Sequence, residues 1–375
     1  MEIEENVDDF NDSCSDSDLA DIEELNSLFL PCHNVSSQSV GPKYILHISA
    51  TNDTNCNIVT ALSDASCDVF NLTESQLHKL NKFQEHNQKL IDCKFSSDNR
   101  NLFFTGSSDG TIKIWDLRVP TESVITFKDT TLTEGSSVKP LSSFDVSPSN
   151  ILLAAGTELT DGDAYILFWD IRNTALLGAY WESHTDDITQ VKFHPNDSNK
   201  LISGSTDKLI NIYNLLESNE DDALQECLNT EALVEELQWF NVGKQWKISC
   251  VTSTNDLQLW ETDGAEPYKC LSRVDIASQI KKNPGNTYIA AIHPLRNSLF
   301  ALCGSNNSLR SLNISTHDLN SGFQCLENTQ RVRSSWINEH TNLLLTGGEK
   351  GKLDVWKPDF SQLNLKDLKR KNGSQ

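Results

Sequence analysis

The chain has 375 residues, of which 37% are hydrophobic and 22% are charged, so it can bury a core while remaining polar for a globular protein. Its formal net charge of −22 argues against direct nucleic-acid binding, which needs Lys and Arg to neutralise phosphates, and favours basic protein partners. No apolar run approaches the roughly 18 residues of a membrane helix, and the start MEIEENVDDF lacks the basic and apolar regions of a secretory signal. We therefore expect an intracellular protein, nuclear or cytoplasmic or both, with no membrane partner.

Residues 1–42 form an acidic tail with eleven Asp and Glu residues and no Lys or Arg. The first part of the tail is too charged to bury and is predicted to be disordered, so deletion of residues 1–18 should change stability little. Ser13 and Ser15 are each followed by an Asp three residues later, a spacing typical of acidophilic kinase sites. They are candidate phosphorylation sites, and each phosphate would add about −1.5 to −2 charges.

Two structures compete for the second part of the tail. A helical spacing of apolar residues indicates an acidic amphipathic helix that docks on a partner, and it comprises Leu19, Ile22, Leu25 and Phe29. The alternative is a strand over residues 27–35 that runs back onto the C-terminal part of the fold. We favour the strand, because the chain after Pro358 is short and polar and offers no better closing element.

A hairpin pattern recurs between residues 43 and 358. Its clearest copy is LFFTGSSDGTIKIWDL (102–117), in which an apolar run, a polar turn and a period-2 strand follow one another. Seven copies end in an aromatic or equivalent residue at intervals of 44 to 54 positions, at Phe70, Trp115, Trp169, Tyr213, Trp260, Leu312 and Trp356. An apolar strand precedes each hairpin and a further strand leads onward from it, so each unit contains four strands. Fourth strands are predicted at 124–128, 176–181 and 268–274.

Units of about 45 residues with four strands and a closing Trp-Asp resemble WD40 repeats. The resemblance implies an all-β fold, a seven-bladed WD40 β-propeller over residues 43–358, with residues 359–375 as a short basic tail. A closed ring needs a final outer strand, which is the role predicted for 27–35. Three stretches are similar to the WD repeat-containing protein 89 family: LFWDIRN to LGAYWESHTDDITQVKFHP (167–195), ESNEDDAL (217–224) and LLLTGGEKGKLDVWKP (343–358). This narrower resemblance implies the fold and no particular activity.

Two sets of residues resemble the hydrogen-bonded tetrad of a WD40 blade. The first set is His86, Thr105, Asp109 and Trp115, and the second is His184, Ser203, Asp207 and Tyr213. A buried relay from the aromatic residue through hydroxyl and imidazole to the carboxylate would pin a hairpin turn to the preceding loop. Because the set repeats in register, we interpret it as structural rather than as a Ser-His-Asp hydrolase triad.

Arg118 and Arg172 each follow a Trp-Asp pair in the pattern W-D-x-R, on consecutive blades. This pattern resembles that of substrate receptors of cullin-4 ubiquitin ligases, which implies that the two arginines contact a ligase adaptor. The simpler interpretation is that each arginine pairs with a nearby carboxylate.

An acidic loop is a further candidate for partner binding, with Glu220, Asp221 and Asp222 in sequence. The sequence contains neither a phosphate-binding glycine loop nor cysteines and histidines at zinc-ligand spacing, so we predict no catalytic site, no metal and no cofactor. The predicted function is a non-catalytic interaction scaffold. A more specific form of it is an acidic escort or assembly factor for a basic protein client. The alternative is a substrate receptor of a cullin-4 type ubiquitin ligase.

Overall fold

The computed structural model describes residues 18–119, 122–131, 137–296, 298–315 and 318–363. Within these ranges seven β-sheets follow one another along the chain as the blades of a propeller, and the predicted fold class is confirmed. Three elements precede the first blade: helix α1 (Ile22–Leu28), strand β1 (Leu30–Cys32) and strand β2 (Asn34–Ser39).

The first four blades each contain four consecutive antiparallel strands. Blade one contains β3 (Ile45–Ala50), β4 (Asn57–Leu62), β5 (Cys67–Thr73) and β6 (Gln76–Phe83). Blade two contains β7 (Leu90–Phe95), β8 (Leu102–Ser107), β9 (Thr111–Asp116) and β10 (Ile125–Lys128). Blade three contains β11 (Leu141–Val146), β12 (Leu152–Thr157), β13 (Ile166–Asp170) and β14 (Leu176–Tyr180). Blade four contains β15 (Ile188–His194), β16 (Asp197–Ser205), β17 (Leu209–Asn214), the short helix α2 (Glu220–Ala223) and β18 (Leu224–Asn229).

The last three blades differ from the first four at their outer edges. Blade five contains β19 (Val234–Val242), β20 (Gln245–Thr252), β21 (Leu257–Glu261) and β22 (Lys269–Leu271), followed by helix α3 (Arg273–Gln279) and a 3₁₀ turn (Pro284–Asn286). Blade six contains β23 (Thr287–Leu295), β24 (Ser298–Ser305), β25 (Ser308–Ile314) and β26 (Leu319–Cys325). Blade seven draws three strands from the C-terminal region: β27 (Val332–Asn338), β28 (Leu343–Gly348) and β29 (Lys352–Trp356).

The fourth strand predicted at 268–274 is wrong in its extent. Strand β22 stops at Leu271, and α3 starts two residues later. The cause is a capping box: Ser272 and Asp275 exchange side-chain-to-backbone hydrogen bonds of 3.2 and 2.9 Å, which satisfy free N–H groups of the first helical turn.

The N-terminal segment closes the ring with different residues from those expected. Strand β2 pairs antiparallel with β29, Asn34 opposite Trp356 and Ser39 opposite Lys352, so it forms the outer strand of blade seven. Strand β1 instead adds a fifth, parallel strand to blade six, next to β26. The closing strand therefore lies at 34–39 rather than 27–35, because Asp21 caps α1 with a 2.8 Å hydrogen bond from the Glu24 N–H and makes residues 22–28 helical.

The core lies between neighbouring blades. All seven closing residues of the repeats are buried, which explains their spacing: each fills the gap between its own blade and the blade before it. Trp115 packs with Val59 and Phe83 of blade one, and Trp356 packs with Phe300 and Phe323 of blade six. Beyond β29 the chain continues to pack, because Phe360 (3% exposed) and Leu363 (4%) join the cluster of Trp356. Two side chains of the segment predicted as a basic tail thus pack against the last blades.

Candidate partner-binding face

The first tetrad forms a continuous hydrogen-bonded relay. The Trp115 Nε1–H donates to Thr105 Oγ1 at 2.8 Å, Thr105 Oγ1 lies 2.8 Å from His86 Nε2, and His86 Nδ1 lies 2.9 Å from Asp109 Oδ2. Burial opposes ionisation of Asp109, but hydrogen bonds from His86 and Thr111 outweigh it and lower the pKa of Asp109 to about 2. The relay joins the β8–β9 turn to the loop before β7, which is a structural role.

The second tetrad has the same geometry, but the contact between its aromatic residue and its serine hydroxyl is longer. His184 lies 2.8 Å from Asp207 and 2.6 Å from Ser203, but the Ser203 and Tyr213 hydroxyls are 3.5 Å apart. Asn211 compensates by donating to the Ser183 carbonyl at 2.8 Å. Both imidazoles are buried, since His86 and His184 are 6% and 4% exposed.

The two candidate arginines lie at equivalent positions, at the ends of the third strands of blades two and three. We call this side the lower face, marked by Asp116, Asp170 and Glu261; the upper face carries the turns at Asp109, Asp207 and Lys350. The Arg118 guanidinium donates to both carboxylate oxygens of Asp116, from Nε at 2.9 Å and from Nη2 at 2.6 Å, and the Arg172 guanidinium binds both oxygens of Asp170 at the same distances. Both side chains remain exposed, at 66% and 72%. Each arginine is therefore held by its own Trp-Asp aspartate while it projects into solvent.

The acidic loop divides into structural and exposed members. The Glu220 carboxylate accepts the backbone N–H groups of Trp181, Glu182 and Ser183 at 2.7, 3.0 and 2.8 Å, so it anchors the loop between blades three and four. Asp222 accepts a hydrogen bond from Asn219 at 2.7 Å. Asp221 and Asp222 are exposed, and they are the members of the loop that a partner can reach. Ser13 and Ser15 lie outside the described residues.

The inner strands line a central cavity of about 830 Å³, and it contains charged residues that the sequence analysis did not select. Lys94 pairs with Asp145, whose other oxygen accepts the Phe193 N–H at 2.7 Å. Burial raises the pKa of Glu236 to about 7 and lowers the pKa of Lys192. One sequence pattern marks these residues: polar and apolar side chains alternate along the inner strands, as at Gln190 and Lys192. That alternation does not reveal which side of a strand faces the propeller axis.

Comparison with known proteins places the chain in a family. Residues 47–242 match the sequence profile of the family described as nucleolar protein 10-like, N-terminal domain. The chain belongs to this family. The seven blades agree with a WD-repeat propeller, and propellers of this kind serve as scaffolds for protein partners.

The chain is also similar to several WD-repeat proteins. It is 25% identical to the WD repeat-containing protein 89 homolog of Dictyostelium discoideum over 89% of this chain and 88% of that protein. It is 28% identical to the WD repeat-containing protein GTS1 of Arabidopsis thaliana over 60% of this chain and 55% of that protein. It is 26% identical to the histone acetyltransferase type B subunit 2 of Debaryomyces hansenii over 54% of this chain and 52% of that protein. The predicted WD40 resemblance is thereby confirmed.

The described residues contain neither a metal-binding cluster nor a membrane-spanning helix. No three His, Cys, Asp or Glu side chains in these ranges are grouped so that they could hold a metal ion. No helix in the same ranges has the length and apolar character needed to cross a membrane.

Proposed function

We propose that the protein is a non-catalytic scaffold that escorts or assembles a basic protein client, selected by acidic surface rather than by a pocket. The observation that carries this proposal is the charge distribution. Residues 1–17 contain seven acids and no Lys or Arg, and the whole chain carries a net charge of −22. Such a surface attracts basic proteins and raises their rate of association.

The anchoring of the next residues supports this role. Asp18 and Glu24 form ion pairs with Arg310 and Lys281 on the propeller, at 2.6 and 3.2 Å. The described part of the acidic segment is therefore attached to the propeller at Arg310 on β25 and at Lys281 after α3. Residues 1–17, with seven acids, directly precede this attachment point in the sequence. One relative is by name a histone acetyltransferase subunit, which supports histones as the class of basic client.

The test compares partners recovered from cells by the full chain and by a variant in which the seven acids of residues 1–17 become Asn or Gln. This variant keeps the chain length and the anchoring residues Asp18 and Glu24. We expect basic clients to be lost from the variant, and to leave the wild type when salt is raised from 150 to 500 mM, because exposed charges are screened. Full retention of basic clients by the variant would contradict the proposal.

A second candidate function rests on the two exposed arginines. Arg118 and Arg172 project from the same face on consecutive blades, as a ligase adaptor would require. The test is Arg118→Ala with Arg172→Ala, against the control Lys89→Ala with Lys350→Ala, which removes the same charge from the upper face. Loss of a cullin-4 adaptor from the first variant alone would replace the escort proposal by the receptor function.

A further inference from the structure

A groove opens on the lower face between blades four and five, with a cavity volume of about 730 Å³. One wall comes from α2 and β18 of blade four, through Asp222, Gln225 and Glu226. The other comes from the start of β20 and the end of β21, through Trp246 and Asp263.

The floor of the groove is aromatic. The His194 ring lies 4.9 Å from the Trp239 ring and 4.5 Å from the Trp246 ring, edge to face in both cases. His194 accepts the Asn196 N–H at 3.2 Å, and Trp239 donates to the Lys192 carbonyl at 3.3 Å, so both rings are fixed. Burial lowers the pKa of His194, which keeps the imidazole neutral at pH 7. Trp246 is half-buried and remains accessible from the groove.

The rim of the groove is acidic. Four acids line it: Asp222, Glu226, Glu261 and Asp263. Among the lining residues the only Lys or Arg is the exposed Lys200. Glu261 is bound to Lys247 at 2.6 Å, so its charge is largely compensated. Across the part of the chain that the structure describes, no hydrogen bond or ion pair engages the side-chain carboxylates of Glu226 and Asp263. These two carboxylates can accept a new donor without breaking an existing contact.

We propose that this groove binds a lysine or arginine side chain of a basic protein segment, an inference that rests on the proposed escort function and gives it a specific contact. The cation lies over the face of Trp246 and between Glu226 and Asp263, while its alkyl chain packs on the aromatic floor. An aromatic face and a carboxylate pair both stabilise a cation, and cation–π contact is strongest with Trp. The acidic rim disfavours anionic ligands, and the groove therefore selects basic segments over acidic ones.

The test uses the full chain and an octalysine peptide that carries fluorescein for anisotropy, or a benzophenone group for photo-crosslinking. The groove variants are Glu226→Gln with Asp263→Asn, and Trp246→Ala. The matched controls are Glu158→Gln with Asp161→Asn, which removes the same charge from an exposed loop of blade three, and Trp181→Ala, which removes an exposed tryptophan outside the groove. If Trp246→Ala fails to fold, the charge variant carries the test alone.

We expect the groove variants to bind octalysine roughly tenfold more weakly than wild type, and the controls less than about threefold more weakly. Crosslinks of the wild type should fall on the groove, within residues 194–212 or 222–263. Equal weakening in groove and control variants, or crosslinks confined to residues 1–42, would overturn the groove while leaving the escort proposal intact. No octalysine binding by wild type would overturn both.

Discussion

The carboxylate of Asp18 lies 2.6 Å from the guanidinium of Arg310 and 3.3 Å from the ammonium of Lys282. Arg310, on β25 of blade six, is 1% exposed, and Lys282, in the connection after α3, is 2% exposed, so two cations are buried beside an acid from the N-terminal segment. The Ile280 carbonyl accepts a further hydrogen bond from Arg310 at 2.6 Å, and the Phe29 ring centroid lies 5.4 Å from the guanidinium carbon. Buried charges need such partners, because their desolvation is expensive.

Asp18→Asn should therefore destabilise the propeller. Loss of one partner of a buried ion pair costs about 3–5 kcal/mol, but Asp18 itself keeps 33% of its side chain exposed. We therefore expect a loss of roughly 1–3 kcal/mol in the free energy of unfolding, measured by urea denaturation. The control is Glu23→Gln, an exposed acid of the same segment. Equal stabilities of the two variants would show that Asp18 is not the counterion.

The same contact revises the expectation for truncation, because deletion of residues 1–18 removes the Asp18 counterion. Deletion of residues 1–17 should leave the midpoint of thermal unfolding almost unchanged. Deletion of residues 1–24 should lower it by several degrees, since it also removes the hydrogen bond from the Leu19 N–H to the Lys281 carbonyl at 3.0 Å. Equal melting temperatures for the two truncated proteins would contradict the anchoring role of residues 18–24.

The tetrad of blade two gives a third prediction. Asp109→Ala leaves the buried His86 Nδ1 without its 2.9 Å acceptor, which should cost about 1–3 kcal/mol of stability. Lys350→Ala is the control, because Lys350 occupies the aspartate position of blade seven and its side chain is exposed. Urea denaturation should show a loss for the first variant and almost none for the second. Equal losses would mean that the relay contributes no stability of its own.

A fourth prediction concerns the close approach of neighbouring blades. A Cβ atom on Gly106 would lie 2.6 Å from Phe144 Cδ1 in the next blade, whereas a Cβ on Gly178 meets nothing within 4 Å. Gly106→Ala should therefore destabilise the protein by about 1–3 kcal/mol, as overpacking in a dense core does. Gly178→Ala, also in a strand, should be neutral. A neutral Gly106→Ala would indicate that Phe144 can move aside freely.

The parts of the structure that the sequence predicts are those that repeat. The closing residues, such as Trp115 and Trp356, recur because each blade must fill the same gap, and the tetrads recur because each turn meets the same loop. Contacts that occur once leave no such signal. Nothing near Arg310 in the sequence indicates a counterion at Asp18, and the groove residues His194 and Trp246 become neighbours only when blades four and five pack together.

The errors in the predicted helices and strands arise from single capping residues. The apolar spacing of Leu25 and Phe29 fits both a helix and a buried strand, and the Asp21 cap decides for the helix. Leu25 in that helix and Phe29 at its C-terminal cap are buried at 5% and 2% exposure, while Ile22 in its first turn and Leu19 before it are exposed at 77% and 66%. Both competing predictions for the tail are thus partly realised: a helix packs on the propeller, and a strand after it closes the ring.

The last prediction concerns Glu236 in the central cavity. Burial raises its pKa from 4.5 to about 7, although the Ile292 N–H at 3.2 Å and the charge of Lys192 favour ionisation. The folded protein therefore holds a proton that the unfolded chain releases, so the stabilising contribution is complete below pH 4.5 and is lost as the pH rises through about 7.

Glu236→Gln mimics the protonated side chain. It should raise the free energy of unfolding relative to wild type by about 1–2 kcal/mol at pH 8 and by almost nothing at pH 4.5, in urea denaturation at each pH. The control is Glu182→Gln, which changes an exposed acid in the loop before β15. It should give the same difference from wild type at both pH values. A pH-independent effect of Glu236→Gln would mean that the pKa of Glu236 is the same in the folded protein and in the unfolded chain.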